Sequence, residues 1–326
     1  MRKVKRIALG IAGLAVVVVI GIAAAAPFRY NQTFDVAEPR LHASADPVII
    51  AKGRYLAYGP AHCAYCHMTA EQAKKLDAGE EPPLAGGNEF RLPVATIWTP
   101  NLTPDRATGI GRFTDGQLAR MLRHNVRPDG RAAVPFMNYQ DLSDDDVVAL
   151  ISFLRSQPAV YNPVPDRRPN YLGKLILSYL IRPSGPSAPA RAAAPAEAPT
   201  VERGAYLANF VAECVGCHTK RSMVDGSFTG PKFAGGLEMR DDGDPTILFT
   251  TPNLTPDAKT GHITSWSEDR FVARFRAGKL VDGTHMPWTA FRSMSETDVR
   301  AIYRYLRSLA PVENATGPTV RKVEKK

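Results

Sequence analysis

Hydrophobic residues open the chain in one long run and then recur in short helical periods. The run from Ile7 to Ala26 holds twenty residues without a charge or a proline, which is about the length that a helix needs to cross the hydrocarbon core of a membrane. Four basic residues precede it, and they favour an N-terminus that stays in the cytoplasm. Residues 1-26 are therefore predicted to be one N-terminal transmembrane helix, or a signal segment that is cleaved after its last alanines.

Beyond this run, the apolar positions repeat with the period of a helix, and no stretch alternates convincingly as a strand would. Helices are predicted to start at capping residues that precede such patterns, namely Asp46, Thr114, Ser143, Ser267 and Ser295. After Ser143 and Ser295 an aspartate follows three positions later, which resembles a capping box. With long ordered loops between these helices, the pattern predicts an all-α fold class.

The chain after the apolar run consists of two copies of one unit. Thr99-Pro-Asn-Leu-Thr-Pro-Asp105 recurs letter for letter as Thr251-Pro-Asn-Leu-Thr-Pro-Asp257, an offset of 152 residues. Shorter matches on both sides keep nearly the same offset, as duplicated domains with small loop insertions do. Each copy has the size of an ordinary domain, and the predicted domains are residues 46-160 and 200-312.

The segment 161-199 between the copies differs from them in composition. Pro183 to Pro199 contains five prolines and seven alanines, which predicts an extended, semi-rigid spacer. Before it, Tyr171 to Arg182 carries apolar residues at helical spacing. This stretch is either an amphipathic helix that docks on a membrane or a partner, or a short helix that fills the gap between the domains.

Composition and charge exclude several classes of protein. The 326 residues are 44% hydrophobic and 22% charged, which is typical of a globular chain and excludes wholesale disorder and coiled coil. Most of the net charge of +9 lies before the apolar run and in a basic tail, residues 313-326. Because the folded body is nearly neutral, no nucleic-acid partner is predicted.

The four cysteines form one pattern twice, as Cys63-Ala-Tyr-Cys66-His67 and Cys214-Val-Gly-Cys217-His218. This spacing is typical of c-type haem attachment, in which both thiols form thioethers to one porphyrin and the histidine is the proximal iron ligand. A disulfide would not need the histidine, a thioredoxin-like pair would sit beside a βαβ pattern, and a four-cysteine zinc site would join residues far apart in the chain. Two covalently bound haem c groups explain the cysteines, the histidines and the duplication together.

The second axial ligand of each iron is predicted to be a methionine in the loop before the last helix of each copy, as in many electron carriers. Met286 lies in this loop in the second copy and Met137 in the first. The two positions are not equivalent, since Val134 stands where Met286 would map, and a methionine near a haem can also be mere packing. The competing ligands are His285 and Met294 in the second copy, and His124 and Met121 in the first.

Taken together, the chain resembles the multihaem cytochrome c subunits of bacterial membrane-bound dehydrogenases for alcohols, gluconate and related substrates. The shared features are both Cys-x-x-Cys-His motifs, the Thr-Pro-Asn-Leu-Thr-Pro-Asp loop, an Asp-Gly pair, Met286-Pro287 and the final helices. The resemblance covers nearly all of residues 46 to 312. It implies two tandem class I cytochrome c domains whose first and last helices cross closely at Gly53 and Gly204. Many such subunits have three haem motifs, whereas this chain has two.

The resemblance implies an electron-transfer protein rather than an enzyme. A diheme c-type cytochrome of this kind would be anchored in the inner (cytoplasmic) membrane, with its haem domains facing the periplasm. It would take electrons from a dehydrogenase or a small carrier and pass them to a quinone, an oxidase or a soluble cytochrome. Two other classes compete with this interpretation: a diheme cytochrome c peroxidase, which needs one iron with an open position, and a haem subunit of a terminal oxidase.

Overall fold

A computed structural model gives the fold of residues 2–222, 226–241 and 243–324. Its α-helices are α1 (Arg2–Arg29), α2 (Pro47–Tyr58), α3 (Cys63–Cys66), α4 (Ala70–Asp77), α5 (Asp115–His124), α6 (Asp144–Ser156), α7 (Tyr171–Tyr179), α8 (Val201–Tyr206), α9 (Cys214–Cys217), α10 (Glu268–Arg276), α11 (Trp288–Phe291) and α12 (Glu296–Ser308). A 3-10 turn (Ile110–Arg112) precedes α5, and a π-helical turn (Leu207–Val211) continues α8. Lys325 and Lys326 of the predicted basic tail lie outside the described residues.

Each copy also contains a small antiparallel sheet. The strands are β1 (Glu89–Leu92), β2 (Ala95–Trp98) and β3 (Arg168–Pro169) in the first copy, and β4 (Glu238–Arg240), β5 (Ile247–Thr250) and β6 (Val320–Lys322) in the second. The spatial orders are β1-β2-β3 and β4-β5-β6. In the register, Phe90 pairs with Ile97 and Met239 pairs with Phe249. The predicted all-α fold class is therefore wrong.

The physical reason for this error lies in the length and pairing of the strands. Strands of two to four residues are too short to establish the two-residue alternation that identifies a strand in a sequence. All four residues of β2 are half-buried, so their pattern does not alternate. The third strand of each sheet, β3 or β6, follows the last helix of its copy and lies beyond residues 46-160 or 200-312, so its pairing is long-range.

The first and last helices of each copy cross in close contact, as the resemblance implied. A Cβ atom on Gly53 in α2 would lie 1.8 Å from the carbonyl oxygen of Ala149 in α6. A Cβ atom on Gly204 in α8 would lie 1.9 Å from the carbonyl oxygen of Ala301 in α12. Only glycine allows the two backbones to approach this closely. Buried apolar side chains of both copies then form one continuous core around these crossings.

The five predicted helix starts are confirmed. Asp46, Thr114, Ser143, Ser267 and Ser295 are the N-caps of α2, α5, α6, α10 and α12, and each side chain accepts a backbone N–H of the first turn. The boxes at Ser143 and Ser295 are only half formed. Each serine hydroxyl accepts a hydrogen bond from the amide of the aspartate three positions later. The serine's own amide donates to the hydroxyl of a tyrosine from the other copy.

Tyr206 of the second copy reaches the N-terminus of α6 in the first. Its hydroxyl accepts the amide of Ser143 at 3.0 Å and donates to Oδ2 of Asp146 at 2.5 Å. Tyr206 is 1% exposed and Asp146 is also 1% exposed. The tyrosine therefore occupies the place that the returning side chain fills in a complete capping box, and it joins the copies through a buried hydrogen bond to a carboxylate.

Tyr55 of the first copy makes the reciprocal contact with the N-terminus of α12. Its hydroxyl accepts the amide of Ser295 at 3.0 Å and donates to Oδ2 of Asp298 at 2.7 Å. Tyr55 and Tyr206 hold the same position in the repeat, so each copy gives the other the same contact. Such an exchange is what a two-fold relation between identical units produces.

Among the described residues, α1 is the one helix long and apolar enough to cross a membrane, over Val4–Arg29. Its apolar side chains are exposed along its length, with Leu9 75% and Val19 63% exposed. The folded body leaves these side chains uncovered up to the last turns of α1, where Ala26 is buried. The predicted N-terminal apolar helix is therefore present.

Candidate cofactor-attachment sites

The first Cys-x-x-Cys-His motif folds as a single helical turn. His62 precedes it in the left-handed conformation (φ 41°), α3 places Cys63 and Cys66 on one turn, and the amide of His67 closes the turn on the carbonyl of Cys63 at 2.9 Å. This arrangement holds two thiols and an imidazole in a fixed order along one turn. It is the local geometry that attachment of one flat macrocycle through two side chains requires.

The second motif reproduces this geometry. Glu213 takes the left-handed conformation (φ 50°) before α9, and the amide of His218 closes the turn on the carbonyl of Cys214 at 2.8 Å. The residues between the cysteines differ in the two motifs, Ala-Tyr in one and Val-Gly in the other. The backbone conformation is therefore a property of the motif and not of the variable side chains within it.

All four cysteines are free thiols in the structure. Burial raises the pKa of Cys63 and Cys214 to about 12 and that of Cys66 to about 11, and it raises the pKa of Cys217 as well. The thiols are therefore protonated at neutral pH, unlike the exposed thiolates of redox motifs. Within residues 2–222, 226–241 and 243–324, no cluster of three or more His, Cys, Asp or Glu could hold a metal ion, so nothing there matches the alternative of a four-cysteine zinc site.

Both motif histidines are buried and held by a backbone carbonyl. Nδ1 of His67 lies 3.0 Å from the carbonyl oxygen of Pro100, and Nδ1 of His218 lies 3.1 Å from that of Pro252. Because a carbonyl can only accept, Nδ1 carries the proton and Nε2 keeps its lone pair. Burial lowers the pKa of both histidines, that of His218 to about 4. Each is thus a neutral imidazole with one free nitrogen, the form and the support of a metal-ligating histidine.

The repeated Thr-Pro-Asn-Leu-Thr-Pro-Asp loop supplies these carbonyls. In the first copy, the buried Asn101 accepts the amide and hydroxyl of Thr103 and donates to the carbonyl of Val160 at 2.8 Å. Asn253 makes the same bonds to Thr255 and Val312. The asparagine thus ties the loop to the segment after the last helix. The loop letters recur because this network fixes the carbonyl that orients the histidine.

Two glycines that the sequence reasoning missed complete this support. Gly86 has φ +70° and donates its amide to the carbonyl of His67, and a Cβ there would lie 2.4 Å from the carbonyl oxygen of Pro100. Gly235 has φ +72° and donates to the carbonyl of His218. Their sequence signal was present but unused, since Ala-Gly-Gly occurs at residues 85–87 and again at residues 234–236.

The two predicted methionine ligands lie at the edge of the core. Met137 and Met286 are both half-buried and pack against buried apolar side chains. Tyr139 ties the first methionine loop to its own motif, because its hydroxyl donates to the carbonyl of Ala61 at 2.5 Å. Of the competing ligands, Met294 is 1% exposed within the core, whereas Met121, His124 and His285 are half-buried. The assignment of Met137 and Met286 stays a prediction.

Each attachment motif contacts the other copy across the interface between the copies. The ring of His62, the residue before Cys63, makes an edge contact with Phe291 of the second copy, with 5.6 Å between centroids. Glu213, the residue before Cys214, accepts a hydrogen bond from the side chain of Asn138 in the first copy at 3.0 Å. Each motif thus contacts the methionine-bearing segment of the other copy.

Comparison with known proteins confirms the predicted resemblance, although no family model matches the chain. The chain is 31% identical over 281 residues to the cytochrome c subunit of the quinone alcohol dehydrogenase of Gluconobacter oxydans, covering 82% of this chain and 56% of that subunit. It is 30% identical over 301 residues to the fructose dehydrogenase cytochrome subunit of Gluconobacter japonicus, covering 86% and 57%. A diheme c-type cytochrome of Cereibacter sphaeroides is 27% identical over 77% of this chain and 83% of its own length. The chain thus spans a little over half the length of these two dehydrogenase subunits.

Proposed function

Because the chain is a relative of dehydrogenase cytochrome c subunits and of a diheme c-type cytochrome, we propose that it is a diheme c-type cytochrome that transfers electrons. The names of these relatives agree with the expectation of an electron-transfer protein rather than an enzyme. One haem c is held in each copy, in the domains of residues 46-160 and 200-312. The thioether-forming residues are Cys63, Cys66, Cys214 and Cys217, and the axial ligands are His67, Met137, His218 and Met286.

The observation that carries this proposal is the matched support of the two histidines. Pro100 and Pro252 hold Nδ1 of His67 and His218 at nearly the same distance, which leaves one free nitrogen in each copy at the end of a turn that presents two thiols. A structural disulfide needs no such support. When bound, haem c supplies one-electron chemistry at its iron. The residues around it orient the ligand, exclude water and set the polarity of its surroundings.

The contact of each motif with the methionine-bearing segment of the other copy supports transfer of electrons within the chain. The contacts of His62 with Phe291 and of Glu213 with Asn138 join each attachment motif to the other copy. The reciprocal bonds of Tyr55 and Tyr206 hold the copies in one arrangement. Both cofactors would therefore be held by one rigid interface, so an electron entering at one copy can leave from the other.

The partner is proposed to be a dehydrogenase, as the names of the relatives suggest. The acceptor would be a quinone, an oxidase or a soluble cytochrome. With α1 retained as an anchor in the inner membrane and four basic residues before its apolar run, the two copies would face the periplasm.

Intact mass and spectra of the protein purified from membranes test this proposal. The mass should exceed that of the polypeptide by two haems, and replacing Cys214 and Cys217 with alanine should remove one of them. Both ferric haems should show the far-red band of methionine-to-iron charge transfer, and Met137→Leu should remove the band of one.

A dehydrogenase should co-elute, and peroxide turnover should be negligible in the oxidised and half-reduced states. A mass equal to the bare chain, or rapid peroxide reduction by the half-reduced protein, would contradict the proposal.

A further inference from the structure

The last turns of α1 contain a backbone defect that α7 repairs. Pro27 lies inside α1, and because proline has no N–H, the carbonyl of Ala23 loses its helical donor. The hydroxyl of Tyr171 in α7 donates to this carbonyl at 2.8 Å. An unpaired carbonyl near the hydrocarbon of a membrane is strongly unfavourable, because no water is there to bind it. The tyrosine is therefore matched to a carbonyl that needs an external partner.

A second tyrosine of α7 binds the same end of α1. Tyr179 donates to the carbonyl of Ile22 at 2.8 Å. Oγ of Ser178, which lies 2.7 Å from the carbonyl oxygen of Lys174 in its own helix, is also 3.0 Å from that of Ala26. Ala26 is 0% exposed, so this turn of α1 is covered by α7. A cut between Ala26 and Pro27 would remove the acceptors of both tyrosines.

The opposite side of α7 is fixed to the first copy. Asn170, the N-cap of α7, donates its amide to the carbonyl of Val94 at 3.0 Å and its side chain to the carbonyl of Pro93 at 2.9 Å. A Cβ atom on Gly173 would lie 2.1 Å from the carbonyl oxygen of Val94, so α7 packs closely on the turn between β1 and β2. Helix α7 therefore connects the end of α1 rigidly to the sheet of the first copy.

The remaining surface beside α1 is apolar and uncovered. Leu172 is 56% exposed, Leu180 is 65% exposed and Phe28 at the end of α1 is 89% exposed. Cations lie next to aromatic rings of the same region: Lys174 Nζ is 5.2 Å from the ring centroid of Tyr30, and the Arg29 guanidinium is 5.7 Å from that of Tyr179. Apolar side chains, tyrosines and basic groups together at the end of a membrane-spanning helix are typical of the lipid interface.

We propose that α7 is a membrane-surface helix that lies among the lipid headgroups, with Leu172, Leu180 and Phe28 inserted towards the acyl chains. This surface is continuous with the exposed apolar length of α1, so phospholipid is the occupant that meets both. The inference rests on the proposed anchoring by α1. Its consequence is that the anchor sets the orientation of the first copy against the membrane instead of acting as a loose tether.

Photo-crosslinking in vesicles tests this inference on the full chain. p-Benzoylphenylalanine would replace Leu172, Leu180 or, as a matched control, Leu280, which is also 65% exposed but lies in the second copy. The haem-loaded proteins are reconstituted in phosphatidylethanolamine and phosphatidylglycerol vesicles and irradiated. We expect phospholipid adducts at positions 172 and 180 in several-fold higher yield than at 280. Equal yields at all three positions would overturn the inference. So would the absence of lipid adducts in vesicles together with crosslinks to another protein in native membranes.

Removing the hydroxyls tests the α1–α7 contact separately. In Tyr171→Phe with Tyr179→Phe, amide exchange in the last turns of α1 and in α7 should accelerate several-fold, whereas Tyr161→Phe, at a tyrosine 70% exposed, should leave it unchanged. Unchanged exchange in the double variant would contradict the contact. A soluble protein that starts near Pro27 would refute the anchor itself, and a membrane protein that keeps α1 without lipid adducts at 172 and 180 would refute only the role of α7.

Discussion

In the first copy, the third strand of the sheet, β3, is followed directly by α7, which contacts the end of α1. In the second copy, the matching strand, β6, belongs to the C-terminal tail. Around the attachment motifs the copies agree almost bond for bond, from the left-handed residue before the first cysteine to the proline carbonyl on the histidine. The comparison separates two kinds of constraint. The groups that would support a cofactor are common to both copies, whereas the connection to α1 belongs to the first copy.

The aspartate near the start of each last helix shows a second difference. In the first copy, Asp146 is paired with Lys52, whose side chain is 25% exposed. In the second copy, Asp298 is paired with Arg203 through two bonds of 2.8 and 3.1 Å, and both side chains are 2% exposed. A planar guanidinium can satisfy both carboxylate oxygens at once, which a lysine cannot. The second copy thus depends more heavily on its ion pair than the first.

The largest effect is expected at the helix crossings, where the copies should behave alike. Gly53→Ala and Gly204→Ala place a methyl group within 1.9 Å of a backbone carbonyl oxygen, so the helices must separate at a cost of about 4 kcal/mol or more. Urea denaturation followed by circular dichroism measures the loss. Gly185→Ala, whose Cβ would make only ordinary contacts, the nearest at 3.6 Å, is the control. Tolerance of the change in one copy alone would show that the two crossings are not equivalent.

The ion pairs should separate the copies. Arg203→Ala leaves the buried Asp298 without its cation and should cost about 3 kcal/mol of unfolding free energy, as the loss of one partner of a buried pair does. Lys52→Ala should cost less, about 1 kcal/mol, because Lys52 is 25% exposed and its removal opens a path for water to Asp146, which is itself 1% exposed. Lys259→Ala, in a pair whose side chains are 73% and 62% exposed, should change nothing measurable. Equal losses for Arg203 and Lys52 would remove the distinction.

Sequence reasoning predicted the features that are written in local patterns. The helix starts follow from residue types at fixed spacings, and the crossings at Gly53 and Gly204 were implied by the resemblance to dehydrogenase cytochrome subunits. The sheets escaped prediction because their strands are short and the third strand pairs with residues about seventy positions away. The acceptors that hold the two histidines were not predicted for a different reason. They are the backbone carbonyls of Pro100 and Pro252, and a backbone acceptor is not identified by the type of its side chain.

The interface between the copies was also beyond local patterns. A serine followed by an aspartate predicted a self-contained capping box at α6 and α12, but the box is completed by Tyr206 or Tyr55 of the other copy. The repeat did contain a signal for this contact. A tyrosine recurs at the matching position of each copy, and apolar packing in a core would make no use of its hydroxyl. Only the relative placement of the two copies assigns that hydroxyl a partner.

These tyrosines give the next prediction. Tyr206→Phe removes a buried hydrogen bond to a carboxylate and should cost about 2 kcal/mol, whereas Tyr55→Phe, at a less buried contact, should cost about 1 kcal/mol. Urea midpoints measure both losses, with Tyr161→Phe as the control. Because each tyrosine joins the copies, proteolysis in the segment 183–199 should accelerate in the double variant. Protease resistance equal to that of the unchanged protein would show that other contacts hold the copies together.

The smallest effect is expected from the pH dependence of these ion pairs, and its alkaline part should appear in the first copy only. Burial lowers the pKa of Lys52, but its hydrogen bonds and its attraction to Asp146 and Asp145 outweigh this and raise the pKa overall. Burial raises the pKa of Asp145, but its bonds from Ser143 and Lys52 lower it overall. The stabilisation from Lys52 is therefore complete below about pH 10 and is lost as the pH rises through its raised folded value. That from Asp145 is complete above about pH 4 and is lost as the pH falls through its lowered folded value.

Arg203 remains protonated throughout the accessible range, so the second copy lacks the alkaline loss. The measurement is the difference in unfolding free energy between the unchanged protein and Lys52→Met, followed from neutral pH to about pH 11. This difference should shrink towards zero, by about 1 kcal/mol or less, whereas the corresponding difference for Arg203→Met should stay constant. Changes at the proposed haem ligands would affect the protein and its variant alike and cancel in each difference. A constant difference for Lys52 would mean that Lys52 contributes through packing of its aliphatic chain and not through its charge. The two copies would then be more alike in their energetics than their ion pairs suggest.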